Sequence, residues 1–147
     1  MSYIVRQKDI EILMQSDKIL FYKLELLNKN MKVIDLIEKE DLAYRIFPIC
    51  RLDYDTQGVL LFTNDGELAN KLTSPHSNVE KEYLARVEGK AGKEELAKLV
   101  RGVVINGYKT KPAEVEVIEY KKDTNTSLLR IIITEGNYHQ VKEMFKA

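Results

Sequence analysis

The sequence predicts an α+β protein built on a mixed, largely antiparallel sheet with flanking helices. Short apolar segments of strand type and amphipathic segments of helix type follow one another along its 147 residues. Turn signals at Asn106-Gly107 and at residues 123–126 are typical of hairpins, which join antiparallel strands. A parallel sheet would need regular strand-helix-strand crossovers, and the sequence has hairpin turns in place of them. A largely antiparallel arrangement is therefore favoured.

Each element is predicted from its own pattern. Val59-Leu60-Leu61-Phe62-Thr63 is an apolar run typical of a fully buried strand, and residues 81–88 alternate between two faces. Asn64 and Glu67 resemble a capping box, which predicts a helix start directly after the buried strand. Strands are predicted at residues 19–22, 59–63, 81–88, 113–120 and 128–134. Helices are predicted at residues 33–39, 67–74, 94–104 and from about 138 onward.

The bulk composition is that of a globular protein, with 44% hydrophobic and 31% charged residues. No apolar run approaches the roughly 20 residues that a membrane span needs, so no membrane partner is expected. The first residues lack the apolar core of a signal peptide, which favours the cytoplasm. Residues 1–32 show no clean periodicity and are predicted to be a poorly specified N-terminal segment, whereas residues 33–147 are predicted to form the main domain.

Charge and cysteine content narrow the function classes. Lysine plus arginine equals aspartate plus glutamate at 23 each, so the whole chain shows no basic excess for nucleic acid. Residues 71–111 hold nine basic and five acidic residues, which fits either a solvated face or a patch that tracks phosphates. Cys50 is the only cysteine and is expected to be a small buried residue, which excludes an internal disulfide. The two histidines are too few for a zinc site.

Residues 51–66 gather three aspartates around one apolar strand. A calcium loop beginning at Asp53 is disfavoured because its twelfth position is Asn64 where a bidentate glutamate is needed. A purely structural interpretation has Asp65 starting a helix and Arg51 pairing with Asp53. The third interpretation is an active site, because carboxylates beside a buried strand are costly unless they are paired or functional. Composition and spacing leave the structural and catalytic interpretations open.

Three ordered motifs carry a resemblance to a known family. Residues 51–66, Arg-Leu-Asp-Tyr-Asp-Thr-Gln-Gly-Val-Leu-Leu-Phe-Thr-Asn-Asp-Gly, resemble the catalytic signature of the RNA pseudouridine synthases, in the branch typified by the small-subunit ribosomal RNA enzyme. Ser74-Pro75 followed by Lys-Glu-Tyr-Leu-Ala-Arg-Val-Glu-Gly at residues 81–89 resembles the family's lysine-x-tyrosine strand. Glu-Gly-Asn-Tyr-His-Gln-Val-Lys-Glu-Met-Phe at residues 135–145 resembles its C-terminal signature helix. The resemblance covers residues 33–147 and implies a partial pseudouridine synthase catalytic domain.

The resemblance implies isomerisation of uridine to pseudouridine in ribosomal RNA and a role for each matching residue. Asp53 would be the catalytic aspartate, and Lys142 would keep its carboxylate ionised. Tyr83 would stack on the extruded base, because an aromatic ring replaces lost base stacking. Since the rearrangement is redox-neutral, no metal or organic cofactor is implied. The substrate-binding residues implied are Arg51, Thr56, His139 and Gln140, with Asp55 helping Thr56 to shape the loop.

The sequence also departs from the family pattern. Cys50 stands where this branch usually has glycine, and Asn137 replaces a basic residue. Relative to the family, the chain is expected to lack the N-terminal RNA-binding domain and the strands that follow the signature helix. Sheet edges left exposed in this way would favour a homo-oligomer. Two functions therefore stay open, which are the isomerase and a non-catalytic RNA-binding or assembly remnant of the same fold.

Overall fold

The computed structural model describes residues 2–4, 19–24, 37–53 and 56–147. These residues belong to two compact units, Ser2–Val79 and Glu80–Ala147, and each is described by itself. The predicted domain boundary at residue 32 falls outside the described residues and stays a prediction. The same holds for most of the helix predicted at 33–39, of which the structure describes only the last three residues.

The first unit is organised around one central strand. Its elements are β1 (Ser2–Ile4), β2 (Ile19–Leu24), α1 (Lys39–Leu42), β3 (Phe47–Ile49), β4 (Gln57–Thr63) and α2 (Gly66–Thr73). β2 pairs antiparallel with β4 from Leu24 opposite Gly58 to Ile19 opposite Thr63. β1 runs parallel to the start of β4, whereas β3 pairs antiparallel with its end. Because residues 61–63 pair with both β2 and β3, those two strands lie on opposite sides of β4.

β4 is buried on both faces, which explains why its sequence is apolar without alternation. On one face, Leu60 and Phe62 pack with Ile37 and Ile46. On the opposite face, Leu61 packs against a cluster formed by Ile49 of β3 and by Leu68 and Leu72 of α2. The two leucines of α2 are four residues apart and therefore share one face of that helix. The strand predicted at 59–63 is thus confirmed, two residues longer at its start.

Asp65, and not Asn64, caps helix α2. The Oδ1 atom of Asp65 accepts hydrogen bonds from the backbone N–H groups of Glu67 and Leu68, both at 3.0 Å. Asn64 instead donates its side-chain amide to the carbonyl oxygen of Tyr44 at 3.2 Å. The predicted Asn64–Glu67 capping pair is therefore wrong, because the helix begins at Gly66 and the side chain of Asn64 is bonded to Tyr44. The helix-starting role predicted for Asp65 is confirmed.

The second unit is an antiparallel sheet of strand order β5-β9-β8, with helices and a small hairpin. Its elements are β5 (Lys81–Glu88), α3 (Lys93–Arg101), β6 (Val104–Ile105), β7 (Tyr108–Lys109), β8 (Glu114–Lys121), β9 (Thr126–Ile133) and α4 (Gln140–Lys146). β5 and β9 pair without interruption from Lys81 opposite Ile133 to Glu88 opposite Thr126. β8 contains an irregularity between Val117 and Glu119, where its register on β9 shifts.

Positive φ angles set the boundaries in the middle of this unit. Gly102 has φ +86°, which ends α3 at Arg101 and makes it shorter than the predicted 94–104. A side chain at Gly102 would also overlap the carbonyl oxygen of Thr110. Asn106 and Gly107 have φ 48° and 81°, as the tight turn between β6 and β7 requires. The hairpin signal read from Asn106-Gly107 is confirmed.

The core of the second unit lies on one face of its sheet. Its residues come from α3, β6, β9 and α4, together with Ala113 from the segment before β8. They are Leu99, Ile105, Ala113, Ile131, Ile133, Val141 and Met144. Burial of this apolar surface holds both helices on the sheet. The predicted α+β class with a mixed, largely antiparallel sheet is confirmed. No helix in the described ranges is long and apolar enough to cross a membrane.

Candidate active site

Asp53 lies in the turn that leads into the central strand of the first unit. The backbone N–H of Thr56 donates to the carbonyl oxygen of Asp53 at 2.9 Å, and β4 begins at the next residue. Leu52, the residue before Asp53, packs against the cluster that contains Leu60 and Phe62. The chain is thus held by contacts both before and after Asp53. Arg51 is exposed and Asp53 is half-buried. Asp55 lies outside the described residues.

Thr56 brings an unusual hydroxyl to the same turn. The residue is only 4% exposed, and its Oγ1 atom is buried without a hydrogen-bond partner. Buried polar groups are nearly always hydrogen-bonded, and an unmade bond costs about 1–3 kcal/mol. The Thr56 hydroxyl can therefore donate or accept one more hydrogen bond beside Asp53. Its predicted contact with substrate stays a prediction.

Cys50 differs from expectation in both burial and backbone. It is exposed, not buried as predicted, and its φ angle is +72°. The left-handed region strains a residue with a Cβ atom and favours glycine. The expectation of burial was wrong because it followed the average behaviour of cysteine, whereas backbone geometry decides this position. The same geometry gives a physical reason for glycine at the position before Arg51 in the family pattern.

Tyr83 lies on the core-facing side of β5 in the second unit. It pairs with Ile131 of β9, and its half-buried ring packs against the core cluster that includes Val141 and Met144 of α4. Lys142 is half-buried on the same helix, next to Val141. Tyr83 and the helix that carries Lys142 therefore share one hydrophobic cluster on one face of this sheet.

Gln140 organises the loop that precedes α4. It is 3% exposed, and its amide nitrogen donates to Oε1 of Glu135 at 2.5 Å. Its amide oxygen accepts from the backbone N–H of Asn137 at 3.0 Å. These bonds fold the signature loop 135–139 back on the helix, so the geometry favours a positioning role for Gln140. The predicted direct contact with substrate stays a prediction.

His139 occupies the N-cap position of α4 with a left-handed backbone, φ 50°. Its imidazole ring stacks on the ring of Tyr138, with centroids 3.8 Å apart and an interplanar angle of 23°. Tyr138 is exposed, so the pair presents an aromatic surface beside Lys142 in the chain. Aromatic faces of this kind suit unpaired bases. Tyr138 was not among the predicted site residues, although an aromatic in a signature loop is a usable signal.

The predicted site residues divide between the two units. Arg51, Asp53 and Thr56 lie together in the first unit, and the other four lie in the second unit on β5 and at the start of α4; these are Tyr83, His139, Gln140 and Lys142. The proximity of Asp53 to Tyr83 and Lys142 stays a prediction. Within the described ranges, no group of three or more His, Cys, Asp or Glu residues could hold a metal ion.

The comparisons with known proteins agree with these motifs. The family model described as RNA pseudouridylate synthase matches residues 2–147. The chain therefore belongs to the RNA pseudouridylate synthase family. Among solved structures, it resembles one described as a crystal structure of pseudouridylate synthase, with a TM-score of 0.71 and 30% identity. That likeness covers 87% of this chain and 55% of the other.

Several curated relatives are similar over most of the chain. Ribosomal large subunit pseudouridine synthase B of Bacillus subtilis is 45% identical over 120 residues, covering 82% of this chain and 49% of the relative. An uncharacterised RNA pseudouridine synthase of the same organism is 43% identical, covering 82% and 50%. Ribosomal small subunit pseudouridine synthase A of Salmonella typhimurium is 40% identical, covering 74% and 45%. The chain thus spans about half the length of the relatives that it matches.

Proposed function

We propose that the protein isomerises uridine to pseudouridine in ribosomal RNA, with Asp53 as the catalytic residue. The observation that carries the proposal is the family match over residues 2–147, which includes the whole Asp53 turn. Relatives named as large-subunit and small-subunit ribosomal enzymes support ribosomal RNA as the substrate class. Since both subunits occur among those names, the proposal does not choose between them.

The reaction defines what the side chains must do. The bond from N1 of uracil to C1′ of ribose breaks, the base turns, and a bond from C5 to C1′ forms. The proton leaves C5 and one is taken up at N1, so the atoms balance without an added reactant. A carboxylate suits this reaction because it can attack C1′ or stabilise the positive charge that develops there. Asp53 has this role in the proposal, and the hydrogen bond from the Thr56 N–H to the Asp53 carbonyl oxygen supports it by tying this residue to the start of β4.

The other proposed roles follow from what each side chain is packed against. Tyr83 packs against the apolar core and is only half-buried, which supports a role in stacking on the extruded base. Lys142 supplies a cation from a helix held by Val141 and Met144, and this cation would keep Asp53 ionised when substrate excludes water. Arg51 would orient Asp53 or fill the space of the flipped nucleotide. Thr56 and His139 would contact the substrate, with Gln140 holding the loop.

The test follows the hydrogen that leaves C5. Ribosomal RNA carrying tritium at C5 of uridine is incubated with the protein, and tritium released into water is counted. The wild type is expected to release tritium, and Asp53→Asn is expected to lower the rate roughly 10³-fold or more. Asp65→Asn is the matched control, because asparagine also caps helices and the rate should stay near wild type.

A folded wild-type chain that releases no tritium would remove the enzyme proposal. In that event, equal RNA affinity of wild type and Asp53→Asn would favour the non-catalytic RNA-binding or assembly function. Circular dichroism of both proteins establishes that they are folded. The two functions are thus separated by one pair of measurements.

A cytoplasmic location and a homo-oligomer formed through sheet edges stay predictions. β8 pairs only with β9 among the described strands, so it is the outer strand of the second unit. Its register shift at Ile118 and the row Glu114, Glu116 and Glu119 disfavour pairing with another strand. Association through β8 is therefore the less favoured form of that prediction.

A further inference from the structure

Lys81 is buried to a degree that is unusual for lysine. The residue begins β5 and is only 8% exposed. Lysine is almost never buried this far unless its ammonium group is paired. None of the hydrogen bonds and ion pairs found for the described residues involves Lys81. A buried ammonium without a counter-charge costs free energy, so this position requires an explanation.

The Lys81 ammonium lies against the signature loop. A Cβ atom placed on Gly136 would be only 3.2 Å from Nζ of Lys81, which means that the absence of a side chain makes room for the ammonium. Lys81 reaches this loop because it pairs with Ile133, the last residue of β9. The backbone of Gly136 thus lies directly beside the Lys81 ammonium group.

Two carboxylates adjoin Lys81 and Gly136 in the sequence, and both bond other groups. Oε1 of Glu135 accepts from the backbone N–H of Lys111 at 2.9 Å and from the amide of Gln140. Glu82 points to the opposite face of β5 and pairs with Arg130 at 2.9 Å. Neither carboxylate forms an ion pair with Lys81 within 4.0 Å among the contacts found for the described residues.

Lys81 shares its face of β5 with Tyr83. Alternate residues of a strand point to the same side, roughly 7 Å apart along the chain. In the proposed function Tyr83 stacks on the extruded base. Lys81 therefore offers a positive charge close to the place where the substrate's base would be held.

We infer that Lys81 and the Gly136 backbone form a binding site for a phosphate of the RNA substrate, adjoining the nucleotide that stacks on Tyr83. The inference rests on the proposed function, because it takes RNA as the ligand. RNA carries one negative phosphate per nucleotide, and lysine is a common point-charge partner of phosphate. Binding of a phosphate would supply the counter-charge that the second unit does not provide.

The experiment measures how RNA affinity depends on salt. A short single-stranded RNA that contains uridine is titrated with wild type and with Lys81→Met, whose side chain keeps the apolar stem. A plot of log affinity against log salt concentration has a negative slope. For Lys81→Met its magnitude is expected to be smaller than for the wild type by about 0.7, which corresponds to one phosphate contact on a single strand. Affinity at low salt should fall roughly 3- to 10-fold. Lys121→Met, on exposed β8, is the matched control and should leave the slope unchanged.

Gly136→Ala tests the same site without removing the charge. Its new methyl group would require the Lys81 ammonium to shift slightly, so affinity should fall less than for Lys81→Met while the charge count stays the same. If Lys81→Met binds with the wild-type slope, the inference is overturned, whether or not the variant has lost stability. A Lys81→Met variant that is less stable but binds RNA with the wild-type slope would indicate that the ammonium group pairs with a carboxylate of the protein and not with RNA. Absence of RNA binding by the folded wild type overturns it as well.

This result and the tritium result can fail separately. A wild type that releases no tritium, combined with a smaller slope for Lys81→Met, would keep the phosphate site and remove the enzyme. Tritium release by the wild type, combined with an unchanged slope for Lys81→Met, would keep the enzyme and remove the phosphate site. In an active protein, Lys81→Met should raise KM and leave kcat nearly unchanged, because the phosphate contact is made equally in the ground and transition states.

Discussion

Arg130 of β9 holds Glu82 of β5 through two parallel hydrogen bonds, Nε to Oε1 at 2.9 Å and Nη2 to Oε2 at 3.2 Å. The Glu82 side chain is 10% exposed and that of Arg130 is 31% exposed. A bidentate pair this well shielded is stronger than an ordinary surface ion pair. The pair joins the two strands that carry Tyr83 and the approach to the signature loop, so it fixes their register.

Glu82→Gln is expected to lower the free energy of unfolding by about 1–2 kcal/mol, because Arg130 would lose its bidentate partner and keep only Glu116 at 3.4 Å. Urea unfolding measures the change. Arg130→Met is the partner variant, and the double variant should lose less than the sum of the two single losses. A strictly additive double variant would show that the pair contributes no stability of its own.

Asp65→Ala is expected to lower the free energy of unfolding by about 1 kcal/mol, because two backbone N–H groups of α2 lose their acceptor. Asn64→Ala is the matched control, since Asn64 is exposed and bonds only the carbonyl oxygen of Tyr44 among the side-chain contacts found. Chemical denaturation of both variants gives the comparison. A larger loss for Asn64→Ala would contradict the assignment of the cap.

Cys50→Gly is expected to raise the free energy of unfolding by roughly 0.5–1 kcal/mol. Glycine relieves the left-handed strain at φ 72°, and this gain exceeds its entropic cost in the unfolded chain. Cys50→Ala separates the two effects, because alanine removes the thiol but keeps the strain. Thermal unfolding of the three proteins should therefore rank glycine above both others.

Tyr108→Phe is expected to stabilise the protein by about 1 kcal/mol, because the hydroxyl is buried without a hydrogen-bond partner. Burial raises the pKa of Tyr108 and the Glu135 carboxylate raises it further, while the nearby Asn137 amide offsets part of this without completing a hydrogen bond in this geometry. The fold thus prefers the neutral phenol, and that preference is lost as pH rises past about 10.

Unfolding measured from pH 8 to 11 checks the sign. The wild type should lose stability faster than Tyr108→Phe above pH about 10, and the two should run parallel below it. Tyr120→Phe is the control, since the Tyr120 hydroxyl is bonded to Asn125 at 3.0 Å on an exposed strand. A wild type and Tyr108→Phe that stay parallel throughout would contradict the burial of this hydroxyl.

Sequence patterns predicted those features that depend on local chemistry. The strand at 81–88 was predicted at its observed bounds, because alternating residues and flanking polar segments define it locally. The capping pair was predicted one residue early, because Asn64 and Asp65 have nearly equal capping chemistry and the bond from Asn64 to Tyr44, twenty residues away, is not visible in the sequence. The Ile118 irregularity in β8 depends on pairing with β9, which no local pattern records.

The site residues show the same division. Motif resemblance placed Gln140 at the substrate, but it could not reveal that the amide is buried and bonded to Glu135 and Asn137. Lys81 was part of a recognised motif and had no assigned role, because the clearance over Gly136 exists only in three dimensions. Chemistry that depends on distance between segments remains beyond sequence reasoning.

β4 is hydrogen-bonded along both of its sides, to β2 on one and to β1 and β3 on the other. Its amide hydrogens are therefore expected to be among the last of the first unit to exchange with deuterated solvent. The Asp53 turn joins this strand directly, through Thr56. The carboxylate that is proposed to react thus adjoins backbone that is expected to open slowly, and fraying of the short outer strands should leave its position unchanged.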